Sequence, residues 1–557
     1  MKLSTTILFV FAAIFSHAQQ RYIVSLKDKQ SNQFQISNPS AFLSQKAIDR
    51  RTKFGIAIDS TDLPVSKRYT DSILASGNVK ILNTSKWLNL VLIETSDATA
   101  LQKINNFPFV SNANAIARKF SARSKFEEPL YIEDEIRAFP RKQQRVTANS
   151  LDYGTSFSQV HIHNGEYLHE LGYRGENMII VMLDAGYQGY LTNRAFDSVR
   201  KNNQIAGTWD FVKNEVSVNE DNAHGMYCFS ILAANLPGQM VGTAPAAKYY
   251  LFRTEDAASE YPVEEQNWAA AAERADSIGA DLITSSLGYT QFDKAEYNHT
   301  YQDLDGNTTL ITRAADFAAK KGIIVTNSAG NEGASPWKYL SAPADGDSVV
   351  AVGAVNASGQ VAGFSGYGPA SDGRVKPDIA SVGWNTFFVT TQGTISQGNG
   401  TSFSNPNVAG LITCLWQAFP EFSNMEIIDA VKKSASQYNN PDDRIGYGIP
   451  DFKKAYEALT IEKNRRNQAA ILNNAQIKVF PVPFTGQFTV LFKPTQSGTT
   501  HFELFDATGK KLSVINKTAI AGEIMFIELK QLNSLPHGVY FLRYQDGDQN
   551  GIVRIMK

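Results

Sequence analysis

Cysteine is nearly absent from this sequence, since only two of its 557 residues are Cys. Two cysteines cannot form the framework of several disulfides that holds many small exported proteins together. The chain also lacks an excess of either charge, with 53 basic and 54 acidic residues. A balanced charge argues against the strongly basic surface that nucleic-acid binding requires, and it does not indicate an acidic partner. Nucleic acid is therefore not among the predicted partners.

Long apolar runs are missing as well, apart from one at the N-terminus. Lys2 supplies a positive charge, residues 7–15 are apolar, and the small residues Ser16 and Ala18 form a cleavage pattern. This arrangement is typical of a secretory signal peptide that is cut after Ala18. A membrane anchor would need about 20 apolar residues, and polar residues end this run sooner. The sequence thus predicts a signal peptide over residues 1–18, an exported protein and no transmembrane segment.

The length of the chain is too great for one hydrophobic core and predicts about three or four domains. Residues 19–120 are typical of a small α+β domain. The following residues 121–152 are polar and basic, which predicts an exposed linker that is open to proteolytic processing. Within residues 19–120 the predicted elements are strands at 21–26 and 87–93 and helices at about 42–51 and 97–105.

Residues 153–460 alternate between apolar strands and helices. The run 177–183 is apolar after its first residue, Asn177, as expected for a strand that is buried on both faces of a parallel sheet. Strands alternating with helices predict an α/β fold with a doubly wound, mostly parallel sheet. The other predicted elements are strands at 281–286, 323–327 and 348–354 and helices at 226–234, 263–278, 308–321 and 408–416.

Three polar residues of this region lie where such a fold places its sites. Asp184 follows the buried strand 177–183, His224 precedes an apolar helix, and Ser402 lies on a glycine-flanked turn before another. Taken singly, a strand-end Asp is as often a turn residue, and a Ser before a helix is usually an N-cap. Together they supply a hydroxyl, a base for its proton and a carboxylate to orient the base. The helix start after Ser402 also offers backbone N–H groups to a developing oxyanion.

Four short blocks carry a resemblance to a known family. They are Asp-Ala-Gly at 184–186, His-Gly at 224–225, Ser-Ala-Gly-Asn-Glu-Gly at 328–333 and the stretch 400–410, which begins Gly-Thr-Ser and ends Val-Ala-Gly. In content and order they resemble the signature blocks of subtilisin-like serine proteases, with Asp before His before Ser. The resemblance covers about residues 153–460. It implies a subtilisin-like catalytic domain and a secreted endopeptidase that hydrolyses polypeptide substrates.

The resemblance also implies roles for individual residues. Ser402 is expected to be the nucleophile, His224 the general base, and Asp184 the carboxylate that orients His224. Asn331 is expected to aim its amide at the oxyanion of the acyl-transfer intermediate. One segment should pair with an extended substrate as an added β-strand, and another should line the first specificity pocket. The residues expected to bind substrate are Ser285, Ser286, Leu287, Gly288, Ala329 and Gly330.

Some positions differ from the pattern of that family. Ala185, Met226 and the pair at 403–404 replace residues that the family usually has there. None of them belongs to the expected triad, so they affect expected packing and specificity more than activity. Pro406 is expected in the first turn of the helix after Ser402, where a missing N–H is tolerated.

No metal or cofactor is predicted. Residues 303–307, Asp-Leu-Asp-Gly-Asn, resemble the start of a calcium loop but lack its later ligands. A turn is the simpler interpretation, and a structural calcium ion is left open. Cys228 and Cys414 are expected to be buried core residues, and a disulfide between them is left open.

The C-terminal residues 475–557 change to short alternating strands, which predicts a β-sandwich after a polar linker at 461–474. Residues 480–486, 506–510 and 535–542 resemble the sorting domain of the type IX secretion system of Bacteroidetes-type bacteria. That resemblance implies contact with the secretion machinery and export through the periplasm of a Gram-negative bacterium, to a secreted or cell-surface location. An adhesive or substrate-binding sandwich is the alternative. The predicted strands are 477–480, 487–492, 502–506, 524–529 and 539–544.

Two alternatives concern the chain as a whole. Residues 19–120 are interpreted as a propeptide that blocks the site and assists folding, and a plain N-terminal binding domain is the alternative. The chain could also retain a subtilisin fold without activity, as a cell-surface binding or adhesion module. The presence of all three triad residues together with Asn331 favours the protease.

Overall fold

The computed structural model describes residues 20–118 and 150–557. The predicted signal peptide, and residues 121–149 of the predicted linker 121–152, lie outside the described residues. The chain divides into two compact units, Met1–Ala455 and Tyr456–Lys557. None of the helices in the described ranges combines the length and the apolar composition that crossing a bilayer requires.

The N-terminal part of the first unit is a four-stranded antiparallel sheet with strand order β2-β3-β1-β4. Side chains from this sheet and its helices, including Val24, Tyr69 and Val91, form a small core of their own. Strands β1 and β3 and helices α1 and α3 lie within about three residues of the bounds that the sequence predicts. The elements are β1 Gln20–Leu26, α1 Gln45–Phe54, α2 Lys67–Leu74, β2 Val79–Ser85, β3 Leu90–Thr95, α3 Ala98–Asn105 and β4 Val110–Arg118.

The rest of the first unit is built on a seven-stranded parallel sheet, with strand order β13-β12-β11-β10-β5-β9-β6. The doubly wound α/β fold is therefore confirmed. The strands of this part are β5 Ile179–Asp184, β6 Ile205–Asp210, β7 Asn235–Leu236, β8 Met240–Val241, β9 Lys248–Arg253, β10 Leu282–Ser285, β11 Ile324–Ser328, β12 Val349–Val355, β13 Ile379–Val382, β14 Thr386–Val389 and β15 Ile395–Gly398. Of these, β7 pairs with β8 and β14 pairs with β15 in two separate two-stranded sheets. The helices that begin in this part are α4 Phe157–His161, α5 Glu166–Glu170, α6 Asp197–Lys201, α7 His224–Ala233, α8 Val263–Ile278, α9 Leu310–Lys320, α10 Thr401–Ala418, α11 Asn424–Ser434 and α12 Phe452–Leu472.

Helices cover both faces of this sheet. Ile283 of β10 belongs to the apolar core that α8 and α9 form on one face. The neighbouring residue Thr284 points to the other face, where its hydroxyl accepts a hydrogen bond from Asn405 of α10 at 3.0 Å. Helices α7 and α10 pack against each other. Both begin beside the carboxyl ends of the parallel strands, the edge at which open α/β sheets bind their ligands.

The N-terminal sheet docks on α8 through a buried network of charges. Asp276 of α8 accepts hydrogen bonds from Arg50 and Arg51 at 2.9 and 3.0 Å and lies 3.3 Å from Lys86 Nζ. Burial alone would raise the pKa of Asp276, but the three cations hold it below its usual value. Glu273, about one turn earlier, accepts a hydrogen bond from the Lys86 N–H.

Apolar contacts add to this interface. Trp87 is 4% exposed and belongs to the main core of the parallel sheet, where it stacks on Phe317. Ile116 of β4 packs against Tyr261 and Val263, which lie at the start of α8. The last described strand of the N-terminal sheet therefore ends close to the loop that connects β9 to α8.

The second unit contains two antiparallel sheets, of strand orders β16-β17-β20 and β19-β18-β21-β22. Both sheets contribute to one apolar core, with Val490 and Phe492 from one and Leu504 and Leu542 from the other. This agrees with the predicted β-sandwich. The strands are β16 Ile477–Phe480, β17 Phe488–Phe492, β18 Gly498–Asp506, β19 Lys511–Ala519, β20 Met525–Leu529, β21 Val539–Asp546 and β22 Gln549–Met556.

The polar segment 461–474, which the sequence predicts to be a linker, is helical for most of its length, because helix α12 continues to Leu472. The segment is polar, but it consists of good helix formers without Gly or Pro. Glu462 also accepts hydrogen bonds from Arg465 and Arg466 on the following turn, a spacing that supports a helix. Only residues 473–474, which adopt positive φ, lie outside the helix.

Candidate active site

Asp184 and His224 form a buried, hydrogen-bonded pair. Asp184 is the last residue of β5, and His224 is the first residue of α7. His224 Nδ1 lies 2.7 Å from Asp184 Oδ1, and the two residues are 8% and 1% exposed. An ionised carboxylate can only accept hydrogen bonds, so Nδ1 donates. The proton is thereby held on Nδ1, and Nε2 becomes the basic nitrogen of the ring.

Gly225 allows α7 to approach β5 this closely. A Cβ atom at this position would lie 2.8 Å from Asp184 Cβ and 2.5 Å from the carbonyl oxygen of Gly186. Ordinary contacts between carbon atoms are about 3.5–4.0 Å. The glycine that follows His224 is therefore required by packing, since a side chain would separate the helix from the end of the strand.

Ser402 is the second residue of α10 and is 2% exposed. Its hydroxyl donates to the carbonyl oxygen of Ser286 at 3.3 Å. Its own carbonyl oxygen accepts from Ser286 Oγ at 2.9 Å and from Cys228 Sγ at 3.3 Å. Cys228 lies one helical turn after His224 on the same face of α7. These contacts bring Ser402 beside the turn of α7 that begins with His224.

Pro406 explains why the Ser402 carbonyl is available for these contacts. Helix α10 begins at Thr401, so Pro406 is its sixth residue and lies beyond the first turn. The expectation that Pro406 lies within the first turn was wrong. A residue at this position would normally donate its N–H to the carbonyl four residues earlier. Because proline has no N–H, the Ser402 carbonyl is bound by Ser286 and Cys228 instead.

Asn331 follows β11 and faces the start of α10. Its Oδ1 accepts from the N–H and the hydroxyl of Thr401, at 2.8 and 3.0 Å. The Thr401 hydroxyl in turn accepts from the Gly330 N–H. With the amide oxygen held in this way, the Asn331 NH₂ group points toward the side of Gly400, where a Cβ would lie 3.8 Å from Nδ2. The N–H donors of the Asn331 amide are thus directed to the space next to Ser402.

The segment 285–288 contains a buried residue at one end and an exposed residue at the other. Ser285 is fully buried, its hydroxyl accepts from the Trp268 indole N–H, and its carbonyl accepts from Asn405. Ser285 therefore supports the segment from below, and its expected contact with substrate stays a prediction. Gly288 is exposed and lies where an added strand could pair with it. Ser286, which contacts Ser402, and Leu287 lie between these two positions.

Ala329 and Gly330 are held firmly by the surrounding backbone. The Ala329 N–H donates to Val352, and its carbonyl accepts from the Ser341 N–H. The Gly330 carbonyl accepts from the Gly366 N–H. Their polar groups are used inside the protein, so these two residues can offer a substrate mainly van der Waals surface.

Glu255 is a residue beside the dyad that the sequence analysis missed. It follows Thr254, whose N–H donates to the Asp184 carbonyl at 3.0 Å. Glu255 accepts a hydrogen bond from the Tyr289 hydroxyl at 2.8 Å. Burial raises the pKa of Glu255 to about 7, and the charge of Asp184 adds to this effect. Nothing in the local sequence indicates this, since the residue lies on an irregular loop.

Two groups of side chains in the described parts of the chain are close enough to share a metal ion. These groups are Asp184, His224 and Cys228, and Glu255, Glu260 and Glu264. Asp184 and His224 are bonded to each other, and Glu264 accepts from two backbone N–H groups. At the acidic turn 303–307, Asp305 caps the N–H groups of Asn307 and Thr308. Each of these sets contains carboxylates that already have hydrogen bonds within the protein.

Both cysteines are buried free thiols and are not joined to each other. Cys228 contacts the Ser402 carbonyl, and Cys414 contacts the Thr243 carbonyl at 3.4 Å. Of the residues that depart from the expected pattern, Phe403 stacks on Phe388 with ring centroids 5.1 Å apart. Phe403 therefore contributes to the packing behind the site.

A sequence model of the subtilase family matches residues 65–448, which is more than half of the chain. The chain belongs to the subtilase family. The subtilases it resembles are serine proteases, so this subtilase is a serine-type peptidase. A second model, of a secretion system C-terminal sorting domain, matches residues 478–557 and indicates export. Both resemblances noted in the sequence are thereby confirmed.

Curated relatives of this subtilase include well-known bacterial proteases. Subtilisin NAT of Bacillus subtilis subsp. natto is 26% identical over 408 residues, which cover 72% of this chain and 90% of the relative. Subtilisin of Bacillus pumilus is 29% identical over 293 residues, which cover 52% and 93%. The thermostable alkaline protease of Halalkalibacterium halodurans is 24% identical over 388 residues, which cover 68% and 95%.

Proposed function

We propose that this subtilase is an exported endopeptidase that cleaves polypeptides by nucleophilic attack of Ser402. The observation that carries the proposal is the buried 2.7 Å hydrogen bond between Asp184 and His224, next to the turn that bears Ser402. The carboxylate keeps the proton on Nδ1 and stabilises the imidazolium that forms when Nε2 accepts the Ser402 proton. His224 then returns that proton to the leaving amine, and water hydrolyses the acyl-enzyme by the same route.

The hydroxyl of Ser402 has to turn from the Ser286 carbonyl to His224 Nε2 for this step. Rotation about a single side-chain torsion redirects Oγ, and hydrogen bonds of catalytic groups often tighten only when substrate is bound. The Ser402 backbone stays fixed meanwhile, because its carbonyl is held by Ser286 and Cys228. Only the hydroxyl group of Ser402 moves in this step.

Stabilisation of the oxyanion is assigned to Asn331. The Thr401 contacts fix the amide so that Nδ2 is directed to the side of Ser402. A fixed donor needs no reorganisation when negative charge develops on the substrate carbonyl oxygen. The backbone N–H of Ser402, at the positive end of the α10 dipole, is the second proposed donor.

The N-terminal sheet is proposed to be a propeptide. It covers α8 through the Asp276 network, and its last described side chain, Ile116, contacts Tyr261 and Val263 near the loop that carries Glu255. The last described strand of this sheet, β4, therefore ends close to the loop that carries Glu255. A slow-folding parallel sheet, made of contacts between distant residues, is the kind of structure that benefits from such assistance.

The C-terminal β-sandwich is proposed to direct the protein to a type IX secretion machinery. On this proposal the protein passes through the periplasm of a Gram-negative bacterium and is then secreted or attached to the cell surface. The match of residues 478–557 to a sorting domain supports this assignment.

Labelling with a fluorophosphonate probe and digestion of a denatured protein test the proposal directly. Purified wild type should be labelled and should cleave the denatured protein at internal bonds. Ser402→Ala, which removes a single oxygen atom, should do neither, although it should still show a cooperative melting transition. A folded wild type that is not labelled and does not cleave would instead support a catalytically silent binding or adhesion module.

A further inference from the structure

Arg253 is a buried cation at the end of β9, the strand that pairs with β5. It lies opposite Asp184 in the register of these two parallel strands, and it is 3% exposed. Arginine stays charged in proteins, and a buried charge is unfavourable unless it is paired and hydrogen-bonded. The partners of the guanidinium group therefore indicate what this residue does.

One nitrogen of the group contacts the residue that follows Asp184. Arg253 Nε donates to the carbonyl oxygen of Ala185 at 3.0 Å. The N–H of Ala185 donates to Asp184 Oδ1 at 2.8 Å, and the same oxygen atom accepts from His224 Nδ1. Because one residue carries both groups, holding the Ala185 carbonyl in place also fixes the N–H that orients the Asp184 carboxylate.

Another nitrogen contacts the segment that leads into α7. Arg253 Nη1 lies 3.1 Å from Asp221 Oδ2. In the next residue, Asn222, Oδ1 accepts from the His224 N–H at 2.7 Å, and the carbonyl accepts from the Gln188 N–H at 2.8 Å. Residues 221 and 222 thus hold the first turn of α7, which carries the imidazole ring.

Asp210, the last residue of β6, fixes the guanidinium group itself. Its Oδ2 accepts from Arg253 Nη1 at 2.8 Å, and its Oδ1 accepts from the N–H groups of Val212 and Lys213. Asp210 is fully buried. Asp256 lies farther away, 3.6 Å from Nη2. A planar group with several fixed donors suits a carbonyl and two carboxylates in different directions, whereas lysine offers a single nitrogen on a flexible stem.

Resting on the proposed function, we propose that Arg253 is a positioning residue that keeps Asp184 and His224 at hydrogen-bonding distance from each other. Its contact with Ala185 fixes the carboxylate, and its contact with Asp221 fixes the helix start that carries the imidazole. It acts on the reaction through these neighbours. One rigid group joined to both sides keeps the 2.7 Å bond between Nδ1 and Oδ1 in place while Nε2 gains and loses a proton.

Arg253→Lys tests the inference, because it keeps the positive charge but removes the planar arrangement of donors. Hydrolysis of a fluorogenic peptide gives kcat and KM separately, and the rate of fluorophosphonate labelling measures the reactivity of Ser402. A misplacement of about 1 Å can reduce a rate about 10²-fold, so kcat and the labelling rate should each fall by about that factor. KM should change little, because the paired residues act in the chemical step.

Lys213→Met is the matched control. Lys213 Nζ binds Asp221 Oδ1 at 2.6 Å, and 48% of its side chain is exposed. The control therefore loosens the same loop but keeps Arg253, and its kcat should equal that of wild type. Melting curves show whether each variant is folded at the assay temperature. If Arg253→Lys is not folded, Asp221→Ala takes its place; it removes the link to α7 but keeps the contacts to Ala185 and Asp210, and kcat should fall about tenfold.

A folded Arg253→Lys protein with wild-type kcat and labelling rate would overturn the inference, even with a lower melting temperature, because the network would then serve stability alone. Wild-type kcat in Asp221→Ala, where that variant is used, would overturn it too. So would an equal loss of kcat in Lys213→Met, or a raised KM with kcat unchanged in Arg253→Lys. A wild type that neither cleaves the peptide nor reacts with the probe would instead refute the proposed function itself.

Discussion

Replacing Gly225 by alanine tests whether the close approach of α7 to β5 is needed for activity. The new Cβ would lie 2.5 Å from the Gly186 carbonyl oxygen and 2.8 Å from both Asp184 Cβ and Tyr187 Cε1. Relieving these contacts requires the start of α7 to move by roughly 1 Å, given ordinary carbon separations of about 3.5–4.0 Å. His224 begins the same helix and moves with it.

This displacement would lengthen the 2.7 Å bond between His224 Nδ1 and Asp184 Oδ1 to roughly 3.5 Å, beyond hydrogen-bonding range. A misplacement of about 1 Å can reduce the rate of an enzyme about 10²-fold, so kcat/KM should fall by about that factor. Overpacking of this kind costs about 1–3 kcal/mol of stability, which lowers the melting temperature without unfolding the protein at 25 °C.

The assay is hydrolysis of a fluorogenic peptide at a temperature where melting curves show both proteins to be folded. Gly363→Ala is the matched control, because a Cβ there would have no atom within 4 Å, and its kcat/KM should equal that of wild type. A Gly225→Ala protein with wild-type kcat/KM would show that the helix start adapts without moving His224, and the argument from packing would be wrong.

Three further predictions concern the oxyanion, the stability of the domain and maturation. Asn331→Leu should lower kcat about 10²–10³-fold with little change in KM, the magnitude known for the corresponding asparagine in subtilisin; a change in KM alone would contradict the assignment. Burial and Asp347 raise the pKa of Asp316 from 3.8 to about 7, so this carboxyl contributes stability that is lost as pH rises from about 4 to 7. In a Ser402→Ala background, Asp316→Asn should therefore raise the melting temperature at pH 8 by more than at pH 5, and equal shifts would contradict this. Purified wild type should lose residues 19 to roughly 120–150 by its own activity while Ser402→Ala retains them, and mass spectrometry of an active but uncut wild type would refute the propeptide.

The buried parallel strands were predictable because their sequences are apolar without interruption. Strands β5, β11 and β12 lie within about two residues of their predicted bounds. Strand β4, of sequence VSNANAIAR, was missed, since its alternation is weak and its pairing with the distant β1 stabilises it. The edge strand β6 was missed for a similar reason, because glycine and threonine interrupt its apolar pattern.

The proposed catalytic residues could be located from short motifs, since their chemistry requires particular residue types in particular contexts. The residues that hold these catalytic residues in place could not be located from motifs. Ser285 and Ser286 are identical neighbours in the sequence, yet one faces the core and the other contacts Ser402. The approach of Glu332 Oε2 and Ser341 Oγ to the same side of Gly330 likewise depends on how separate segments fold together.

The contact between the N-terminal sheet and α8 affects what happens once the linker is cut. Separation would leave Asp276 facing water without its three cations, and would leave Arg50, Arg51 and Lys86 as a positive cluster on the departing part. Opposite charges on the two freed surfaces attract each other, so they would meet again rapidly in dilute salt, and added salt would slow that encounter. Cutting the linker would therefore yield a non-covalent complex first, and the enzyme would become active at the rate at which the detached part is degraded or diluted away.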